Sequence, residues 1–351
     1  MNYPHLTAVL ITLGDPAQLT GGYLFHRRLA ELAPTYGASL QFASFPPRPF
    51  PLGLLHTRDV LNDVDRRRPD VVVIDSIIAW CFAVQGPRQP AVGMLHQPPG
   101  GIDFGPLRTS VQARMDRLAY RHLNRVLVAS DSLADELRPV GLQVCVVPPG
   151  RDVASDLGPP PGDLRQGRRM AALCVGNWLE RKGILDLLEA VALLDQDATT
   201  LHLLGRTNVD AKYARRVWAR LAQADLVGRV VVHGPLSVSE VAALYAAADV
   251  FVLPSLKEPY GTVYGEAMAF GLPVVGWRAG NLPYLAAQAA EGLLVEPRDV
   301  VGLTIALRRL ANDADLRRQL GAAARERALA RPTWDQVAAI FFQHLREVSN
   351  T

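Results

Sequence analysis

The chain has 351 residues, of which 49% are hydrophobic and 20% are charged, so its composition excludes a disordered protein and allows two ordinary domains. The net charge of +3 is too small to indicate a nucleic-acid partner. Cys81, Cys145 and Cys174 lie far apart in or beside apolar runs, which favours buried thiols in a reducing compartment over disulfides or a zinc site. Neither a basic leader nor about 18 uninterrupted apolar residues is present, so we expect a cytoplasmic protein.

Short apolar runs alternate with longer helical patterns in the first half of the chain, which is typical of βαβ units and a parallel sheet. The predicted strands are LTAVLITL (6–13), ASLQFASF (38–45), DVVVID (70–75), AVGML (91–95), RVLVAS (125–130) and VCVVP (144–148). We predict that residues 1–150 form one Rossmann-like domain.

An arginine recurs every three or four residues between positions 108 and 126, which predicts a helix with a cationic side. These arginines are Arg114, Arg117, Arg121 and Arg125. Such a side is usually the solvated face of a packed helix. The alternative interpretation is a weak peripheral contact with anionic lipid, or with a phosphate-bearing acceptor.

Residues 151–168 are rich in Pro and Gly and have no periodicity, which predicts a linker. The alternation then restarts, so we predict a second Rossmann-like domain over 169–330. Its predicted strands are AALCV (171–175), TLHLLG (200–205), RVVVHG (229–234), DVFVLP (249–254), PVVGW (273–277) and GLLVEP (292–297). We expect the two domains to face each other across a cleft that binds the ligand, and an amphipathic helix within 331–351 to pack back across both.

The stretch EPYGTVYGE places Glu258 and Glu266 at the two ends of a strand-to-helix junction. Gly261 permits a tight backbone path, and Thr262 is predicted as the N-cap of the following helix. Gly265 lies in the first helical turn, where a missing side chain favours a close approach by another group. Free N–H groups at such a helix start suit a diphosphate, and Glu266 can bind a diol. The competing interpretation is two ordinary surface acids.

The stretch PSLKEPYGTVYGEAMAFGLPVVG (254–276) resembles the Glu-x7-Glu signature of glycosyltransferase family 4, the retaining nucleotide-sugar transferases of GT-B fold. Other segments resemble the family in the same order over about 300 residues of the chain. They are LTGGYLFHRRLAEL (19–32), GMLHQPPG (93–100), RVLVASDSLADEL (125–137), VVPPGRD (146–152), VGNWLERKGILDLLEAV (175–191), LHLLG (201–205), VVVHGPLSVSEVAALYAAADVFVLPS (230–255) and GLLVEPRD (292–299). The resemblance implies a GT-B fold with acceptor binding by the first domain and donor binding by the second.

The resemblance also implies roles for the junction. Glu266 would bind the donor ribose, and Glu258 would contact hydroxyls of the donor sugar near the reacting centre. The backbone of Tyr260, Gly261 and Thr262 would hold the sugar and the diphosphate. A fixed cation beside free N–H groups stabilises the negative charge that develops on a leaving diphosphate.

The resemblance implies that cationic side chains bind the donor diphosphate, and this chain departs from the family at one of the positions involved. Lys182 would place its charge there, whereas Arg181 could serve instead or face solvent. The family usually has Arg at the position of Asn177, which brings no charge, so we predict that Arg181 takes over part of this task. A second departure is AGNLPYL (279–285), where the family often has Gly-Gly followed by Glu.

In the first half, the resemblance assigns Gly21 and Gly22 to close approach of the backbone to donor phosphate or acceptor. The alternative is a tight strand-to-helix turn without further function. His96, at the end of a predicted strand, would hydrogen-bond the donor sugar or steer the acceptor hydroxyl. The alternative is a purely structural histidine.

Three Asp-x-Asp patterns occur, at 63–65, 195–197 and 313–315, and such pairs bind the divalent metal in the other large transferase fold. None of them directly ends an apolar strand, so we interpret them as solvated surface. We therefore expect neither a metal nor another cofactor.

The sequence thus predicts a retaining, hexosyltransferase-like enzyme that moves a sugar from a nucleoside-diphosphate sugar to a hydroxyl of a sugar, a lipid-linked or a small-molecule acceptor. The alternatives are a nucleotide-sugar epimerase of the same fold, a cofactor-dependent phosphorylase, and a non-catalytic nucleotide-sugar-binding protein. No motif supports the Schiff-base lysine that such a phosphorylase needs, and Asn177 is the feature that suggests the binding protein.

Overall fold

The computed structural model describes residues 4–17, 21–141, 143–151, 158–159, 161–286 and 290–350. It divides into two compact units: Met1–Gly150 with Pro332–Thr351 form unit 1, and Arg151–Arg331 form unit 2. Leu19 and Thr20 of the predicted Gly-Gly loop lie outside the described residues, as do residues 152–157 and 160 of the predicted linker.

Unit 1 contains a parallel sheet of six strands in the order β2-β1-β3-β4-β5-β6. The strands are β1 (Leu6–Leu13), β2 (Ala38–Phe45), β3 (Val71–Asp75), β4 (Ala91–Leu95), β5 (Arg125–Val128) and β6 (Val144–Val146). Every residue of β3 and β4 is buried, because helices cover both faces of a parallel sheet. The strand order reverses between β1 and β3, and ligands of open α/β sheets bind at the carboxyl ends beside such a point.

Unit 2 contains a second parallel sheet of six strands, in the order β12-β11-β10-β7-β8-β9. The strands are β7 (Met170–Val175), β8 (Thr199–Leu204), β9 (Val230–Gly234), β10 (Val250–Val252), β11 (Val274–Trp277) and β12 (Gly292–Val295). In this sheet the order reverses between β7 and β10. The chain segments that follow these two strands are therefore the natural place for a site.

Helices connect the strands of both sheets within the described residues. They are α1 (Gly21–Leu32), α2 (Thr57–Arg67), α3 (Pro106–Ala119), α4 (Asp131–Leu137), α5 (Ile184–Ala192), α6 (Ala211–Leu221), α7 (Val238–Ala247), α8 (Thr262–Ala269), α9 (Leu282–Leu285), α10 (Val300–Asn312), α11 (Ala314–Leu329) and α12 (Trp334–Ser349). No helix in the described part of the chain combines the length and apolar composition needed to cross a bilayer.

All twelve predicted strands are present, so the expected class of two successive parallel α/β sheets is confirmed. The amphipathic C-terminal segment forms α12, which packs on α1, β3 and β4 of unit 1 and buries Phe341 and Phe342 there. Residues 161–168 of the predicted linker are anchored to unit 2, because Arg165 binds the Asp249 carboxylate with two hydrogen bonds of 2.8 and 2.6 Å.

The three Asp-x-Asp patterns have structural partners on the surface. Asp63 pairs with Arg67 at 2.7 Å, Asp197 pairs with Arg169 at 2.8 Å, and Asp313 caps α11. Each of these three aspartates therefore has a partner within the protein.

Candidate functional site

The loop that follows β10 leads into α8 through Gly261, which has a φ of +84°. The prediction of Thr262 as N-cap is wrong: Gly261 occupies the cap position in the left-handed conformation, and Thr262 is the first helical residue. A Cβ at Gly261 would lie 2.8 Å from the Tyr264 ring, so the position also requires glycine on steric grounds. The N–H groups of Thr262 and Val263 have no acceptor within the helix and are available to an anion.

Lys182 and Glu258, 76 positions apart in sequence, form an ion pair in unit 2. Their side chains are only 10% and 15% exposed, so water screens the pair weakly. Lys182 ends a single 3-10 turn after β7, and Glu258 follows β10, so the pair lies where the strand order of the sheet reverses. The two predicted catalytic side chains of this unit are thus brought together.

The turn that holds Lys182 is fixed against the β10 loop by backbone contacts. The N–H of Leu256 donates to the Arg181 carbonyl at 2.7 Å, and Ser255 Oγ donates to the same oxygen at 3.2 Å. Gly183 has a φ of +68°, and a Cβ there would collide with the Pro254 carbonyl. These constraints fix the turn that carries Lys182 without help from a ligand, and Glu258 holds its ammonium.

Arg181 is turned toward the Glu258 loop. Its Nη1 donates to the Lys257 carbonyl at 2.9 Å and lies 3.9 Å from Oε2 of Glu258. This geometry gives Arg181 a structural function in the loop, in addition to its positive charge near the ion pair.

Glu266 lies one turn into α8, on a part of the helix that also faces Tyr245. The Tyr245 hydroxyl donates to Oε2 of Glu266 at 3.1 Å, and burial together with the Glu266 charge raises the pKa of Tyr245 well above its ordinary value. The phenol therefore stays protonated and holds the carboxylate in one orientation, which prepares Glu266 to accept further hydrogen bonds.

Asn281, interpreted from the sequence only as a departure from the family, holds the loop that carries Glu258. Its N–H donates to the Glu258 carbonyl at 2.9 Å, and its Nδ2 donates to the Tyr260 carbonyl at 2.8 Å. Asn281 is 3% exposed, so these bonds form in a dry environment. The side chain is a positioning residue for the loop, which the sequence alone did not reveal.

Asn177 follows β7, and its Oδ1 accepts a hydrogen bond of 3.1 Å from the N–H of Arg206, which follows β8. Arg206 is exposed, and its guanidinium has no ion-pair partner among the residues that the structure describes. A Cβ at Gly176 would lie 3.6 Å from Cδ of Lys182, so these strand ends lie close to the Lys182 side chain. Arg206 was not singled out in the sequence, although a cation directly after a strand is a recognisable signal.

Gly265 leaves space for the guanidinium of Arg331, which a Cβ at this position would strike. Arg331 also stacks over the Tyr260 ring, 5.1 Å from its centroid, and burial lowers its pKa to about 10. A cation beside the first turn of a helix is disfavoured by the helix dipole, so an anion bound there would relieve the repulsion. Arg331 lies 66 positions after Gly265, which is why no local pattern indicated the contact.

In unit 1, His96 follows β4 and packs against the first turns of α1. Its ring meets those of Phe25 and His26 edge-on, with centroid separations of 4.9 and 4.8 Å. A Cβ at Gly22 would lie 3.4 Å from Cδ2 of His96, whereas Gly21 begins α1 and is exposed. Gly22 therefore lets the helix approach the imidazole.

A buried polar cluster lies beside His96, at the point where the strand order of the first sheet reverses. Asp75, at the end of β3, accepts a hydrogen bond of 2.8 Å from Thr12 Oγ1, and its Oδ2 lies 3.3 Å from Nε2 of the fully buried His26. Burial raises the pKa of Asp75, but the charge and hydrogen bond of His26, together with the hydrogen bond from Thr12, outweigh it and lower the pKa to about 2. Burial, and then the charge of His26, lower the pKa of His96 to about 3, so His96 is neutral near pH 7.

Comparison with known proteins identifies the family of the chain. Residues 18–155 match the family model Glycosyltransferase Family 4, and residues 164–327 match Glycosyl transferases group 1. A glycogen synthase of Mycobacterium tuberculosis is 30% identical over 77% of this chain and 67% of its own length. The chain belongs to glycosyltransferase family 4.

Two other relatives match shorter parts of this family 4 chain. A D-inositol 3-phosphate glycosyltransferase of Xylanimonas cellulosilytica is 32% identical over 61% of this chain and 56% of its own length. An MMP alpha-(1->4)-mannosyltransferase of Mycolicibacterium hassiacum is 34% identical over 64% and 54%, respectively. The chain thus spans about half the length of these two curated relatives.

Solved structures of similar fold cover nearly all of this family 4 chain. Sucrose-phosphate synthase from Thermosynechococcus elongatus superposes with a TM-score of 0.84 at 22% identity, covering 98% of this chain and 99% of its own. Anabaena HepE in complex with UDP and glucose gives a TM-score of 0.78 at 20% identity, covering 98% and 100%. The fold is GT-B.

Proposed function

We propose that this family 4 protein is a retaining glycosyltransferase that uses a nucleoside-diphosphate sugar and a hydroxyl acceptor. The observation that supports the proposal best is the Lys182–Glu258 ion pair beside the open start of α8. A diphosphate needs a fixed cation and free N–H donors, and both are present in one place in unit 2. HepE has been solved in complex with UDP-glucose, which supports the same donor class for this fold.

The donor would be held by three kinds of contact. Glu266, oriented by Tyr245, would accept hydrogen bonds from the ribose diol. Lys182 and the N–H groups of Thr262 and Val263 would bind the diphosphate. Because Asn177 brings no charge, we propose that Arg206, whose backbone it holds, supplies a second cation.

The chemical step follows from the charge that develops. Cleavage of the sugar–phosphate bond leaves negative charge on the diphosphate, and Lys182 stabilises this charge more strongly in the transition state than in the ground state. Glu258 would contact donor-sugar hydroxyls near the reacting carbon. In the retaining reaction, the acceptor oxygen forms its bond on the face that the diphosphate leaves, and a diphosphate oxygen receives the acceptor proton. A metal is not needed in this scheme, since the protein supplies the cations.

For unit 1 we propose acceptor binding at its own strand reversal. His96 would act there as a neutral hydrogen-bonding group, because burial and the neighbouring His26 disfavour its charged form. In this proposal His96 would donate or accept a hydrogen bond without carrying charge.

Calorimetry and product analysis test the proposal together. UDP, GDP, ADP and TDP are titrated into the wild type and into Glu266→Ala, and nucleotide-sugar turnover is followed by NMR of the anomeric proton. Binding of at least one nucleotide, its loss in the variant, and a product of unchanged anomeric configuration are expected. Absence of binding to all four refutes the proposal. Conversion of the donor to its epimer would indicate an epimerase, and binding without release of diphosphate would indicate a binding protein.

A further inference from the structure

The helix α3 of unit 1 has one side packed and one side open to solvent. Its packed side consists of Gln112, Ala113, Asp116 and Ala119, all buried. The open side continues through the turn after the helix, and we call it the α3 outer face. It consists of Leu107, Ser110, Val111, Arg114, Arg117, Leu118 and Arg121, all exposed.

The α3 outer face is cationic without compensating acids. Its three arginines, Arg114, Arg117 and Arg121, form no ion pair with any residue that the structure describes. The single acid of the helix, Asp116, is buried on the opposite side and accepts a hydrogen bond of 2.8 Å from the N–H of Gly100. The charge of this face is therefore available to an anionic partner.

The same face exposes large apolar side chains to water. Leu107 is 80% exposed, and Val111 and Leu118 are 42% and 41% exposed. They recur at helical spacing among the arginines, so apolar and cationic side chains share one surface. A surface of this kind buries its aliphatic groups while its guanidinium groups remain at the polar boundary.

The apolar surface continues onto a neighbouring segment. The guanidinium of Arg108 lies 3.4 Å from the centroid of the Phe104 ring and 5.6 Å from that of Phe50. Phe50 lies two residues before the 3-10 turn Leu52–His56, in which Leu52 is 54% and Leu55 66% exposed. Exposed leucines thus lie on two adjacent elements that an arginine connects.

From these contacts we infer that the α3 outer face is a docking surface for an anionic phospholipid bilayer, with α3 lying along the membrane plane. Arg114 and Arg121 are seven residues apart, about 10 Å along a helix. This spacing spreads the charge over several headgroups and does not focus it on one phosphate. The inference depends only on exposure and charge in unit 1 and is independent of the proposed sugar transfer.

The test is co-sedimentation of the full chain with vesicles at low salt. Phosphatidylcholine vesicles are compared with mixed phosphatidylcholine–phosphatidylglycerol vesicles, for the wild type and for Arg114→Glu/Arg117→Glu/Arg121→Glu. We expect binding to anionic vesicles only, and a loss of more than a hundredfold in the variant, since each cation near such a surface contributes about fivefold. The matched control replaces the exposed Arg215, Arg309 and Arg325 of unit 2 by Glu and should bind like the wild type.

A second variant tests the apolar part. Leu107→Ser/Val111→Ser/Leu118→Ser keeps every charge, and we expect it to weaken binding at least tenfold. Circular dichroism and thermal melting confirm that each variant is folded. Failure of the wild type to bind anionic vesicles, equal binding by the arginine variant, or displacement by soluble glycerol phosphate at vesicle-equivalent concentration would each overturn the inference.

Discussion

Replacement of Glu258 by Gln should strengthen nucleoside-diphosphate binding while it weakens sugar transfer. In the free protein Glu258 neutralises Lys182, and a bound diphosphate would compete for the same ammonium. Two unit charges about 6 Å apart repel by about 3 kcal/mol at an effective dielectric constant of about 20. Ordering the released Lys182 side chain costs up to about 2 kcal/mol. The net gain of about 1 kcal/mol corresponds to roughly fivefold tighter binding.

Calorimetry with the nucleoside diphosphate that binds best measures this effect, and initial rates with its sugar derivative measure transfer. We expect kcat to fall more than tenfold, because the amide cannot accept hydrogen bonds from the sugar hydroxyls as a carboxylate does. Glu180→Gln is the matched control: it removes one charge from the same turn, but Glu180 is 76% exposed and pairs with Arg216. Weaker nucleotide binding by Glu258→Gln than by Glu180→Gln would refute the reasoning.

Three further predictions concern separate features. Glu266→Ala should raise the donor KM by roughly 10- to 100-fold with a small change in kcat, since about one to two charged hydrogen bonds to the ribose are lost; steady-state kinetics would contradict this if KM were unchanged. Arg206→Ala should weaken nucleotide binding roughly tenfold in calorimetry. Adding Asn177→Arg to this variant should restore most of the binding. Failure to restore it would argue against the proposal that either position can supply the second cation. Asp116→Asn should stabilise the protein at pH 8 by up to about 4 kcal/mol, measured by thermal melting, because burial raises the pKa of Asp116 to about 7 from about 4 in the unfolded chain.

The contribution of Asp116 to stability depends on pH because the folded and unfolded chains release its proton at different pH values. The folded protein keeps this proton up to about pH 7, whereas the unfolded chain loses it near pH 4. Stability therefore falls as the pH rises between these values, and the full cost is present above pH 7. The difference in melting temperature between wild type and variant should disappear below pH 4. A difference that persists there would show that the amide acts through packing.

The strands could be predicted from the sequence because buried parallel strands are uninterrupted apolar runs. Val71–Asp75 and Ala91–Leu95 are wholly buried, and both were found almost to the residue. The start of α8 was predicted less well, because Thr262 has the side chain of a typical N-cap. The backbone instead places Gly261 at that position with a positive φ, which depends on packing against Tyr264.

The site contacts that could not be predicted from the sequence join segments that lie far apart along the chain. Asn281 positions the Glu258 loop, and Arg331 fills the space beside Gly265, yet neither pair has a spacing that a local pattern can indicate. A resemblance to a family supplies residues that match its motif. It does not supply the partners that this chain uses where it departs from the motif.

Unit 1 is built from two segments that lie far apart in the sequence, and the second of them is synthesised last. Residues 151–331 leave the ribosome before residues 332–351, so the second compact unit can fold while the first still lacks α12. Until then, the surface of α1 and the sheet that Phe341 and Phe342 cover stays open to water and to chaperones. A nonsense codon shortly after residue 331 would therefore yield a polypeptide whose unit 2 is folded but whose unit 1 is a target for proteolysis.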